Sequence, residues 1–146
     1  MALPTGGGTE TLHSHLFEDV DAAQTLILGV QHHVYTVLSI TAKCNVLGSS
    51  TNTGSINLIG YNLHGSASAA TMGLAVFNIV VGETFVWNDK FSFNGYEPTG
   101  TPSLNAAGQI AVAAQAGSVA QQLSFTTTSS TDDFDVFVSY IDQDWS

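Results

Sequence analysis

Five histidines and twelve carboxylates are the side chains of this sequence whose chemistry could build a metal or catalytic site. His13 and His15 stand two apart, so on a strand they share a face and could hold one ion between them. His32 and His33 are adjacent and would point to opposite faces, so at most one of them could join. Glu18, Asp19 and Asp21 lie close to the first pair. There is no HExxH pair, no Cys/His ligand set and no EF-hand loop. The spacing therefore predicts no metal and no cofactor, and it reads the histidines as solvated or interface groups. Histidines beside carboxylates in a docking segment would still make its binding sensitive to pH near neutrality.

The carboxylates are densest at Glu18-Asp19-x-Asp21 and Asp132-Asp133-x-Asp135. Neither has the glycine and spaced oxygens of a calcium loop, so both read as solvated acidic faces. A glycosidase needs two placed carboxylates. The candidates in the body are Glu83, Asp89 and Glu97, and the first two fall in turn-like GET and NDK segments. No G-x-S-x-G elbow is present. Cys44, the single cysteine, sits in the apolar run SITAKCNV without a histidine or cation to activate it. It reads as a small buried thiol. Gly6-Gly7-Gly8 follows no strand and precedes no Lys-Ser/Thr, so it is not a phosphate loop. The residues predict no enzyme. Tyr61, Trp87, Tyr96 and Trp145 could stack on sugar rings, although Trp87 and Tyr61 also fit half-buried strand positions.

Composition narrows the classes further. The chain has 146 residues, 12 acidic groups, two lysines and no arginine, for a net charge of −10. Lys43 and Lys90 cannot neutralise a row of phosphates, so nucleic-acid binding is excluded as an expectation. The same lack argues against docking on an anionic membrane. No run reaches the roughly 18 apolar residues of a membrane span, and MALPTGGGTE does not read as a secretory signal. Yet 44% of residues are hydrophobic, while serine and threonine total 31. Such a chain folds, and its polarity is mostly uncharged. Uncharged hydroxyl surfaces suit tight subunit packing, because no lysine or glutamate must be desolvated.

From Thr25 onward the elements that would position these groups are β. Strand candidates are Thr25–Val30, His33–Val46, Ile56–Asn62, Thr71–Val81, Thr84–Trp87, Phe91–Phe93, Ile110–Ala114, Gln122–Thr127 and Phe134–Ile141. In His33–Val46 the residues Val34, Leu38, Ile40, Ala42 and Cys44 share one parity. Asn88-Asp89-Lys90 reads as a tight turn between two strands. Eight or nine short strands with turn residues between them predict an all-β fold, an antiparallel sandwich or barrel of jelly-roll-like type. Residues 1–24 read as an extended N-terminal arm, and 25–146 as the β-sandwich domain. In the arm Leu12, Leu16, Phe17 and Val20 fit a helical spacing loosely, over a length too short to hold alone. They are the candidate partner-binding residues. In the last strand Phe137 and Ile141 point opposite to Phe134, Val136, Val138 and Tyr140, which marks them as a candidate subunit interface.

The segments HVYTVLSITAKCN, FNIVVGETFVWNDKFSFNGYEP and the closing DVFVSYIDQDWS resemble small structural virion proteins of tailed bacteriophages, most closely head decoration (cement) proteins. The resemblance spans residues 25–145 and is one of style rather than of a fixed motif. It implies a β body whose arm grips the capsid exterior, with the major capsid protein and copies of itself, as dimer or trimer, for partners. It brings no catalytic residue. Many weak, symmetry-related contacts would together stabilise a shell. A tail-fibre or receptor- and glycan-binding module is the alternative expectation.

Overall fold

The computed structural model describes residues 9–46, 53–61, 69–96, 105–107 and 120–145, the side chain of Tyr61 excepted. The strand expected at 110–114, His64 and Glu97 lie outside the described residues. Among the described residues nine strands form in chain order: β1 (Thr9–Val20), β2 (Gln24–Leu28), β3 (His33–Val46), β4 (Thr53–Tyr61), β5 (Ala69–Asn78), β6 (Thr84–Trp87), β7 (Phe91–Asn94), β8 (Gln122–Thr127) and β9 (Asp133–Asp144). They build two antiparallel sheets. One runs β1-β9-β3-β6, with β7 also paired to β3, and the other runs β2-β8-β4-β5.

The chain direction explains this order. β6 pairs with Ile40–Lys43 and β7 with Val34–Val37, along the same edge of β3. The two are therefore one edge strand interrupted at residues 88–90. The tight turn expected there is corrected: the chain continues in the same direction, because both pieces run antiparallel to β3. Counting them as one strand, the pairings nest from the outside inward as first with last, second with second-last, and so on. That nesting is the double Greek key of a jelly roll.

Alternation closes the core. Ile40, Ala42 and Cys44 of β3, Phe134, Val136 and Val138 of β9, and Ile56, Leu123 and Phe125 of the facing sheet are fully buried. Phe125 and Phe134 meet across the layers with ring centroids 5.3 Å apart. Burying such side chains contributes roughly 1.5–3 kcal/mol each. The parity expected for β3 holds only in its second half. A bulge between Val37 and Ser39 shifts the phase, so Tyr35 and Val37 face the core instead of Val34 and Leu38. One inserted residue is enough to exchange the two faces of a strand.

Residues 9–20 are not a loose helix awaiting another surface. They form β1, paired with β9 from Thr9↔Asp144 to Val20↔Phe134. The backbone finds its partners in the ladder, which a lone segment of that length lacks. A bulge follows Phe17, where Asp19 takes a φ of 55°. Residues 9–20 thus belong to the same sheet as β9 and β3. No helix among the described residues is long and apolar enough to cross a membrane.

Candidate functional site

The β1–β9 register decides where the arm residues point. Residues directly opposite each other in an antiparallel pair share a face. Leu12 opposes Ile141, Ser14 opposes Ser139 and Leu16 opposes Phe137. All six lie on the face turned away from the second sheet, since Tyr140, Val138 and Val136 take the other. Continuing across β3 and the outer edge, the rows lengthen. Leu16, Phe137, Thr41 and Val86 form one, and Leu12, Ile141, Thr36 and Ser92 another. Between them runs Ser14, Ser139 and Ser39.

This outer face is apolar and hydroxyl-bearing along these rows, with Asp135, Lys43 and Glu10 toward its ends and the exposed Asp89 and Lys90 where β6 and β7 are interrupted. Leu12 is 68% exposed, Leu16 49%, Val86 56% and Phe137 38%. Ser14 Oγ and Ser139 Oγ lie 3.1 Å apart, and Thr36 Oγ1 and Ser92 Oγ 2.9 Å apart, so neighbouring hydroxyls satisfy one another. Asp135 and Lys43 face each other at one end of the sheet, and Glu10 stands at the other. The hydroxyls that already bond to one another, Ser14 with Ser139 and Thr36 with Ser92, lose little on dehydration.

Two of the four arm residues belong elsewhere. Phe17 lies opposite Val136, packs half-buried against the core, and stacks with His15 at 4.2 Å. Val20 is buried opposite Phe134. Both hold β1 to its own domain. Leu12 and Leu16 are joined on the outer face by Phe137 and Ile141. Reading 1–24 as an arm separated these pairs, although the spacing of two from Leu12 through Ser14 to Leu16 carried the face. Val86 was missed as part of the same row. Its signal is an apolar residue between Phe85 and Trp87, the pair whose parity faces inward.

The titratable groups gather at two other places. His33 Nδ1 lies 2.6 Å from Asp142 Oδ1, and its Nε2 3.7 Å from Asp144 Oδ2. This clamps the start of β3 to the end of β9. Tyr35 and Tyr140 lie beside it, with rings 5.9 Å apart. Burial first, and the Asp142 carboxylate second, push the Tyr35 hydroxyl up to about 12 and raise that of Tyr140. His13 stacks on Tyr140 at 5.2 Å, so His13 and His15 are each engaged with a ring on their own side. Asp19, Asp133 and Asp135 place carboxylate oxygens within 4.8 Å of one another, beside the β1 bulge. The Asp19 backbone N–H donates to Asp135 Oδ1 at 3.4 Å.

Cys44 is fully buried, and its thiol is raised, by burial first and then by Asp132, Asp133 and Glu83. Two of the open grooves among the described residues lie at the edges of the sandwich. One of about 240 Å³ is lined by Leu58, Gly60, Ala70, Thr71, Met72 and Gln121, none of them titratable. The other, about 330 Å³, contains Glu83, whose carboxylate accepts the Val80 N–H at 3.2 Å. Trp87 and Trp145, two of the aromatics weighed for sugar stacking, lie apart. Trp87 pairs with Ile40 and donates its indole N–H to the Asp89 carbonyl. Trp145 follows Asp144, which pairs with His33. Ile40 and His33 are seven residues apart on β3, which at about 3.3 Å per residue separates the two tryptophans by more than about 20 Å.

No protein-family model matches the chain, and no curated protein matches it. Among solved structures, the chain is similar to one in the structure of infectious bursal disease virus Gt strain, with a TM-score of 0.35 and 10% identity. The match covers 94% of this chain and 37% of the other, so this chain spans little more than a third of that one's length. So slight a likeness assigns no function.

Proposed function

We propose that this protein is a non-catalytic structural component of a virion, a decoration protein that binds a shell through the outer face of its five-stranded sheet. The observation that carries the reading is that face. Leu12, Leu16, Phe137, Ile141 and Val86 stand exposed or half-exposed in rows with serine and threonine, and the chain's many carboxylates stay at the margins. A contiguous apolar patch on a folded domain marks an association site. Jelly rolls occur in capsid and lectin domains alike, so the topology fits the reading without deciding it.

In this reading the partners are the major capsid protein and further copies of the chain, on the exterior of a tailed-phage capsid. Each contact is modest, and its repetition over a symmetric shell gives the stabilisation. Only two lysines are available for phosphate, which suits a surface away from packaged nucleic acid. The test is co-sedimentation of the full chain, and of a Leu16→Thr, Phe137→Thr variant, with empty heads and with isolated tails. The reading expects the full chain to pellet with heads and the variant to stay in the supernatant. Failure of the full chain to pellet with either particle would overturn it.

A further inference from the structure

We propose that two copies of this chain join edge to edge through β1, in an antiparallel register centred on Ser14. This deepens the partner reading above, and its test is independent of particle binding. β1 is the terminal strand of its sheet. Nothing among the described residues pairs with its far edge. Residues 9–20 contain no lysine and no proline, the usual protections of an exposed edge.

The sequence of that edge says what fits it. Residues 10–18 read Glu-Thr-Leu-His-Ser-His-Leu-Phe-Glu. The segment is a palindrome about Ser14, broken only at Thr11 and Phe17. An antiparallel two-fold pairs residue i with residue 28 − i, so a palindrome meets itself. Ser14 would oppose Ser14 of the second copy, Leu12 would oppose Leu16, and His13 would oppose His15. Thr11 would oppose Phe17, on the inner face.

The same register completes the outer face. Leu16 already stands beside Phe137, and Leu12 beside Ile141. Across the new ladder the row would run Phe137, Leu16, then Leu12 and Ile141 of the second copy, and its symmetry mate would run beside it. The apolar rows that end abruptly at β1 would become continuous through the two-fold. A second copy therefore fits both the backbone and the side chains of this edge.

One mismatch makes the register testable. Glu10 would oppose Glu18 at each end of the overlap. Like charges directly opposite each other weaken a strand pair, and salt screens them. The wild-type chain should therefore associate more tightly as salt rises.

The experiment is sedimentation velocity of the purified full chain over a concentration series at low and moderate salt, with charge variants. Glu18→Lys converts both like pairs into opposite ones. It should tighten the dimer about tenfold at low salt and reverse the salt dependence. Glu10→Lys with Glu18→Lys restores like charges and should return the affinity toward that of the parent. As a second readout, Ser14→Cys should cross-link to itself under mild oxidation, because only the residue on the axis meets its own copy, whereas Leu16→Cys should not. A chain that stays monomeric in every variant would overturn the proposal. So would a dimer indifferent to Glu18→Lys. A monomer that still pellets with particles would sink this inference alone, and a dimer that pellets with none would sink the virion reading alone.

Discussion

Leu16 stands directly opposite Phe137 across the β1–β9 ladder, and both side chains turn away from the core. Neither fills a cavity within the domain. Replacing both with threonine keeps the β preference of the strands and removes only the apolar row. The expected change in stability is below about 1 kcal/mol, since exposed substitutions seldom cost more. The expected loss in particle binding is at least about tenfold, the scale of an interface anchor. Urea unfolding and co-sedimentation of the same variant separate the two effects.

A glycine position tests the closure of the sandwich. Backbone hydrogen bonds run from Gly29 N–H to the Gln121 carbonyl, from Gln121 N–H to the Gly95 carbonyl, and from Gly95 N–H to the His33 carbonyl, each 2.8 Å. They tie the two sheets together at one end. A Cβ on Gly95 would strike the Val30 backbone, with Val30 N only 2.8 Å away. Backbone cannot move aside as a side chain can. Gly95→Ala should cost on the order of 2–3 kcal/mol, comparable with other strained backbone sites. A urea midpoint unchanged from the parent would contradict the close approach.

Tyr35 sets an alkaline limit on stability. Its hydroxyl accepts the Val30 N–H at 3.1 Å, and burial, more than that bond, governs its titration. The folded-state value is about 12 against an ordinary 10.0. The native state thus keeps a proton that the unfolded chain gives up. The stabilisation is complete below about pH 10 and is lost as pH rises toward 12, by about 2–3 kcal/mol in all. Tyr140 shifts in the same direction. Urea midpoints at pH 8, 9.5 and 11 should fall, and Tyr35→Phe should flatten the fall. An unchanged slope in that variant would remove Tyr35 as its cause.

Cys44 should be silent. Its thiol is buried between the sheets, and both desolvation and the nearby carboxylates disfavour the thiolate. Reaction with a thiol reagent at pH 8 should follow unfolding rather than precede it. Labelling of the native chain at the rate of a free thiol would contradict that burial.

Much of this fold was legible in the sequence. His33–Val46 and Gln122–Thr127 form strands over the expected residues, because β-branched and aromatic residues alternate there with polar ones. Phe137 and Ile141 showed their outward direction through parity alone. What was not legible depended on partners distant in sequence. β1 is exposed on both faces over most of its length, so burial imposes no alternation on it, and only the β9 ladder makes it a strand. The β3 bulge inserts one residue without a glycine or proline to announce it. The continuity of β6 with β7 along one edge is set by β3, not by the turn-like residues between them. For the candidate site, the individual apolar residues were visible, but their assembly into rows required the register.

If the outer face of the five-stranded sheet binds the shell, its exposed side chains must be shielded on particles. Hydroxyl-radical footprinting of the free chain and of the chain on particles tests it most directly. Leu12, Leu16 and Phe137 report on that face, and Met72 and Val76, which are 56% and 69% exposed on β5 of the other sheet, serve as internal controls. The first three should be strongly protected on particles, with Met72 and Val76 unchanged. Protection of Met72 and Val76 with none at Phe137 would instead place the binding surface on the opposite sheet.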